Sequence, residues 1–278
     1  MRLIVALAVA ALLSAPGSPA RADEGYWSSI LSDFFVGPVQ QEEFRWSGTL
    51  AAGRTLEIKG VNGSIRAEAA PGGEVQLTAT KKGRRQKPEA VEIRVVEHAE
   101  GTTICAVYPT PEGREPNECV PGPKGRMNTR NNDVSVDFVV RVPSGVHLVA
   151  RTVNGSVAAN ALGGNVTATT VNGSVTVDTA GWVLAETVNG SINASMGRTD
   201  WPGEALFETV NGSIRLSVPG TLRADLDAEV VNGSVSTSFE LQNAQVARRK
   251  MSGKIGGGGR RLALETVNGS ITLNRSAR

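Results

Sequence analysis

Seven copies of the pentapeptide Val-Asn-Gly-Ser-Val/Ile begin at Val61, Val153, Val171, Val188, Val210, Val231 and Val267. From the second copy onward they are 18, 17, 22, 21 and 36 residues apart. The longest interval reads as two turns, with a worn copy, Met251-Ser252-Gly253-Lys254-Ile255, between them. A unit that recurs every 16 to 22 residues cannot bury an apolar face alone and must stack on its neighbours. Looser Gly and Pro punctuation falls between copies, as in Leu162-Gly163-Gly164-Asn165-Val166 and Val218-Pro219-Gly220-Thr221-Leu222, so each coil has two corners. Between corners the apolar residues alternate, as in Ile214, Leu216 and Val218, which is strand spacing. The expected fold is all-β: a β-solenoid with two corners per coil.

The motif marks one corner. Leu148, Ala150 and Thr152 alternate with His147, Val149 and Arg151, and other copies place Glu186, Glu208, Glu229 and Glu265 where Arg151 stands. The charged parity faces water, so Leu148, Ala150 and Thr152 face inward. Downstream the inward set restarts at Val157, out of step, and a corner at Asn-Gly-Ser explains the slip. Gly is expected there for its freedom at positive φ, and Asn for its tolerance of the left-handed region or its bonds to neighbouring backbone. Asn62, Asn154, Asn172, Asn189, Asn211, Asn232 and Asn268 are thus expected to be structural, stacked as a ladder. The same parity points Thr152, Thr170, Thr187, Thr209 and Thr266 inward, against an outward array of the kind that binds ice. Asn-Gly-Ser also fits the glycosylation pattern, but turn chemistry accounts for it.

Before the serial repeats the organisation differs. Arg2, the apolar run Leu3 to Leu13, Pro16-Gly17 and Ala20-Arg21-Ala22 read as a secretory signal cleaved after Ala22, giving an exported protein of the periplasm or cell surface. No later stretch has the ~20 apolar residues of a membrane-spanning helix. Residues 23–50 hold Tyr26, Trp27, Phe34, Phe35, Phe44 and Trp46, half of the chain's 12 aromatics, and read as an aromatic segment that is a cap or core, with a membrane or partner contact as the alternative. Residues 51–145 carry the first repeat and longer alternating strands, among them Val134 to Val142, which fit a sandwich-like portion; residues 146–278 form the solenoid proper. Cys105 and Cys119 are the only cysteines, and export favours a disulfide between them, closing a surface loop.

Charge and site chemistry exclude several functions. The segment 1–22 holds Arg2 and Arg21 and no acid, so its removal balances 29 basic against 27 acidic residues, and nucleic acid loses its electrostatic motive. His98 and His147 stand apart from other ligands, so no metal and no cofactor is expected. The recurring glutamates form a column on one face instead of the facing pair a glycosidase needs, and no nucleophile–base constellation is evident. The one dense charge run, Lys81, Lys82, Arg84, Arg85 and Lys87, reads as a hairpin tip able to touch an anionic envelope polymer or lipid headgroup. Three functions remain: an exported scaffold binding an envelope polymer or surface protein, an envelope-stress accessory or sensor protein, and a polysaccharide-active β-helix enzyme. The first is favoured.

Gly60-Val61-Asn62-Gly63-Ser64-Ile65, then Arg141-Val142-Pro143-Ser144-Gly145-Val146, then serial Thr-Val-Asn-Gly-Ser-Val/Ile over residues 50–278, resembles a bacterial family of proposed adhesins, a domain of unknown function made of β-strand repeats. The resemblance implies an exported β-solenoid of the cell envelope and supplies no catalytic residues.

Overall fold

The computed structural model describes residues 38–276. The signal segment and Tyr26, Trp27, Phe34 and Phe35 lie outside the described residues. In chain order the strands are β1 (Gln40–Thr49), β2 (Thr55–Lys59), β3 (Ile65–Ala69), β4 (Glu74–Gly83), β5 (Glu92–His98), β6 (Gly101–Val107), β7 (Ser135–Val142), β8 (His147–Arg151), β9 (Val157–Leu162), β10 (Val166–Thr169) and β11 (Val175–Thr179). They continue with β12 (Val183–Glu186), β13 (Ile192–Met196), β14 (Glu204–Asn211), β15 (Ile214–Val218), β16 (Ala224–Asn232), β17 (Val235–Thr237), β18 (Gln242–Val246), β19 (Lys250–Ile255), β20 (Arg260–Asn268) and β21 (Ile271–Arg275).

Two sheets face each other, and each coil gives one strand to each. One sheet runs β1-β4-β7-β3-β9-β11-β13-β15-β21-β17; the other runs β18-β19-β16-β20-β14-β12-β10-β8-β2-β6-β5. Parallel pairing in constant register builds the stack, for example Ala150 beside Ala168, Ala168 beside Ala185 and Ala185 beside Phe207. Inward residues of the two sheets, such as Val183, Ala185, Ile192, Ala194 and Met196 of one coil, are buried between them. Burying each larger one is worth about 1.5–3 kcal/mol, whereas ordering backbone costs about 1–2 kcal/mol per residue, so one coil of some 17 residues is unstable alone.

The chain does not stack in the order in which it runs. The coil β20/β21 lies between β14/β15 and β16/β17, and β2/β3 lies between β6/β7 and β8/β9. The expectation of a worn repeat at Met251–Ile255 is therefore corrected. These residues belong to β19, which pairs antiparallel with β16 and with β18, the strand that ends the sheet. The 36-residue interval holds this hairpin, not a coil. At the other end β4 and β1 extend one sheet antiparallel beyond β7, and β5 extends the other beyond β6, giving the sandwich-like portion. Both sheets run through it unbroken, because β6 and β7 pair in parallel with β2 and β3.

The corner glycines need space more than conformation. Gly63 (φ 122°) and Gly233 (φ 154°), in copies toward either end of the stack, have positive φ, whereas the motif glycines between them, such as Gly173, do not. A Cβ on Gly173 would lie 2.1 Å from the Gly155 carbonyl oxygen of the next coil, and on Gly190 2.0 Å from that of Gly173. The corner Asn residues also lack positive φ, so the left-handed alternative for them is corrected as well.

Candidate functional site

Each position of the corner has its own bonding role. Thr152, Thr170, Thr187, Thr209 and Thr266 are buried, and their hydroxyls donate at 2.8–3.0 Å to the carbonyls of Gly63, Gly155, Gly173, Gly190 and Gly212. The Asn side chains are exposed and joined amide to carbonyl at 2.8–2.9 Å in the stack order 62, 154, 172, 189, 211, 268, 232. Serine backbone N–H groups donate to the Ser Oγ of the neighbouring coil at 3.1–3.3 Å, as Ser174 does to Ser156 and Ser213 to Ser191. Five of the seven motif valines are exposed, Val153, Val171, Val188 and Val267 at 37–38% and Val231 at 51%, while Val210 is half-buried and Val61 buried. The outcome is a neutral strip of Val, Asn and Ser repeated at strand spacing, ~4.8 Å.

The basic run divides. Lys81 lies in β4 facing inward, 5% exposed, with its Nζ 2.8 Å from Glu42 and donating to the Val91 carbonyl at 3.0 Å. Lys82 pairs with Asp137 at 3.2 Å. The hairpin tip is therefore Arg84, Arg85 and Lys87, all exposed; the alternation of β4 removes Lys81 from any outer contact. Asp133 accepts the backbone N–H groups of Arg84, Arg85 and Gln86 at 3.1, 2.9 and 2.8 Å. The bonds from Arg85 and Gln86 lead in holding its carboxyl below the ordinary value.

Where other coils have Asn-Gly-Ser, the corner between β6 and β7 is replaced by the excursion 108–134. It folds back over the first coils and is tied in three ways. Cys105 and Cys119 form a disulfide, Cα–Cα 5.7 Å. The Lys59 ammonium donates to the carbonyls of Val120, Gly122 and Lys124 at 2.6, 2.5 and 3.0 Å. Glu57, 4% exposed, accepts from Thr103 Oγ1 at 2.9 Å and from the Gly122 N–H at 2.8 Å. Burial lowers the Lys59 pKa against the opposing pull of Glu57. Between loop and sheet is a cleft of about 170 Å³, lined by Lys59, Val61, Cys105, Lys124, Met127, Arg151 and Val153 among others. The sequence reading missed this cluster. Its one signal was that Lys59 and Arg151 occupy the column that is Glu in later coils.

That column runs Lys59, Arg151, Thr169, Glu186, Glu208, Glu265, Glu229 in adjacent register. The glutamates stand side by side along one face, with Lys250 on Glu229 at 3.0 Å. His147 accepts the Asn165 N–H at Nδ1, 3.1 Å, and burial, with Arg198 nearby, lowers its pKa. His98 Nε2 is 3.1 Å from Thr103 Oγ1. Among the described residues no group of three or more His, Cys, Asp or Glu is placed to hold a metal, and no helix is long and apolar enough to cross a membrane.

A family model described as Toastrack DUF4097 matches residues 126–274. No curated protein matches the sequence. Among solved structures, a proposed cell adhesion protein from Clostridium sporogenes is similar at 10% identity and TM-score 0.49, over 85% of this chain and 100% of that one. A proposed adhesin from Bacteroides fragilis is similar at 10% identity and TM-score 0.37, over 84% of this chain and 97% of its own.

Proposed function

The chain belongs to the Toastrack DUF4097 family, and from that premise we propose that it is an exported, non-catalytic scaffold of the cell envelope that binds an extended polymer or surface protein along its corner strip. Residues 1–22 are removed on export, and the product acts in the periplasm or at the cell surface. The observation that carries this reading is the exposed valine column. The inward Thr of five corners and the stacked Gly have their roles within the fold, but the adjoining valine keeps more than a third of its surface in water at Val153, Val171, Val188 and Val267. Equal sites in register along one edge suit a partner that is itself repetitive, since weak contacts then add as avidity. The polar groups of the cleft support the same reading: Lys59 spends its hydrogen bonds on the loop and Glu57 on the loop and on Thr103 of β6. The tip Arg84, Arg85 and Lys87 would add a salt-sensitive contact to an anionic polymer.

The test is co-sedimentation of purified mature protein with isolated peptidoglycan sacculi and with envelope membranes, beside a variant in which Val153, Val171 and Val188 are all Thr. Threonine keeps the β-branched shape and strand preference. Retention reduced about tenfold in the triple variant is the expected result. Undiminished retention would remove the strip as the contact, and steady-state turnover of a glycan would overturn the scaffold reading and direct attention to Glu186, Glu208 and Glu229.

A further inference from the structure

The cleft beneath the excursion has a charge imbalance that the fold leaves open. Lys59 and Arg151 face one carboxylate, Glu57, whose Oε1 is 3.7 Å from the Lys59 ammonium and 3.4 Å from Arg151 Nε. Glu57 Oε1 and Arg151 Nε are both buried and neither makes a hydrogen bond. Two cations against one anion in a half-buried setting is costly unless an outside anion completes the set. Lys59 registers the cost, since burial lowers its pKa despite Glu57. Arg126, also at the cleft, pairs with Glu115, while Lys124 adds a cation and Glu118 an anion to the lining, so that four cations stand against three carboxylates.

The wall is of another character. Val61 and Val153 are the first two members of the valine column, and Met127 packs partly buried against the core. Val61 is 9% exposed where Val153 is 38%, because the loop roofs it. The disulfide, the Lys59 ammonium and Glu57 fix the loop at three points, so the space beneath is held open by covalent and charged struts. A small built cavity with an apolar wall and a few convergent polar groups is the usual form of a ligand site.

We propose that this cleft binds a small organic anion with an apolar body, its charge met by Arg151 with Lys124 and Arg126, and its body lying on Val61, Val153 and Met127. Lys59 and Glu57 are positioning residues: they hold the roof, and Lys59 adds its field without giving up a hydrogen bond. The site meets the corner strip at Val61 and Val153, but its charged residues lie outside the strip, so the Lys124→Gln/Arg126→Gln variant tests it without touching the strip.

The test is amide NMR titration of the purified, disulfide-closed protein with three probes: hexanoate, hexylamine and inorganic phosphate. Hexanoate is expected to shift residues 59–61, 105–106, 118–127 and 151–153 and to bind at least tenfold more tightly than either other probe, because only it carries both a negative charge and an apolar body. Arg151→Gln and the double variant Lys124→Gln/Arg126→Gln should each weaken hexanoate about tenfold. The double variant changes exposed side chains only, and so keeps the test valid if Arg151→Gln disturbs Glu57. Hexylamine binding as well as hexanoate, or shifts outside these segments, would overturn the proposal. Phosphate binding as tightly as hexanoate would overturn the ligand class. Hexanoate affinity unchanged in the double variant, or no saturation by about 10 mM, would overturn the site.

Discussion

Replacing Gly190 by Ala adds one methyl group at the tightest kind of place in the molecule. The new Cβ would stand 2.0 Å from the Gly173 carbonyl oxygen and 2.5 Å from its carbon, and both are backbone atoms that no rotamer change can move. A relaxed contact needs more than 3 Å, so the coils must part by about 1 Å against a strand spacing of ~4.8 Å. The bonds spanning this corner would stretch together: Gly173 N–H to Asn189 O at 3.0 Å, Asn189 N–H to Val171 O at 2.7 Å and Thr187 Oγ1 to Gly173 O at 2.8 Å. Overpacking alone costs about 1–3 kcal/mol, and the weakening of these three hydrogen bonds adds about 2 kcal/mol in all. A loss of about 3–5 kcal/mol is expected. Gly220 is the matched control, since its added Cβ meets nothing within 4 Å and its φ is not positive. Gly220→Ala should be neutral or stabilising by up to about 1 kcal/mol. Urea unfolding of the three proteins, with midpoint and slope both fitted, gives the comparison. A Gly190→Ala midpoint matching that of Gly220→Ala would refute the steric account of the motif glycine.

Other consequences can be measured on the same material. Thr170→Val deletes the 2.8 Å bond to the Gly155 carbonyl at a buried site and should cost about 1–2 kcal/mol by urea unfolding, although Val230 occupies the equivalent place in a later coil. Cys105→Ser/Cys119→Ser should cost about 3 kcal/mol for a loop of this length, and the unreduced, denatured wild type should show no reactive thiol to a maleimide. The Asp133 carboxyl has its pKa depressed in the folded state, so the order it gives to Arg84–Gln86 is present above the usual Asp value, near pH 4, and is lost as pH falls through the lower folded value. Amide exchange at Arg85 and Gln86 should speed up in that acid window beyond its intrinsic trend, and Asp133→Ala should show fast exchange at every pH.

How much of this was legible in the sequence depended on the range of the interactions. Period, strand alternation and the inward Thr follow from local pattern, and so did the placing of Asn and Gly at a corner. The reason for the Gly did not follow, since the atom it must avoid belongs to another coil 17 to 92 residues away in the chain, and turn chemistry offered a nearer explanation. Coil order was hidden for a related reason: copies that share Val-Asn-Gly-Ser accept one another equally, and nothing in β15 states that its neighbour is β21 instead of β17. Lys81 looked like a loop charge because five cations in seven residues outweighed the alternation of β4, which places it opposite Glu42. The cleft depends on Lys59 meeting carbonyls at 120, 122 and 124, a distance in sequence that no pattern spans.

A solenoid that stacks in chain order can close like a zip as it leaves the ribosome or the export channel, each turn docking on the one just made. Here β16/β17 is synthesised before the coil on which it rests, because β20 and β21 lie on its inner side in both sheets. Residues 224–255 must therefore wait, with Leu226, Ala228 and Val230 lacking their final cover, until residues 260–275 arrive and slot in as a keystone. Docking of β20 and β21 is then a non-local insertion, which is slow for its size and leaves an open sheet edge exposed in the meantime. A holding chaperone would find its substrate in that interval.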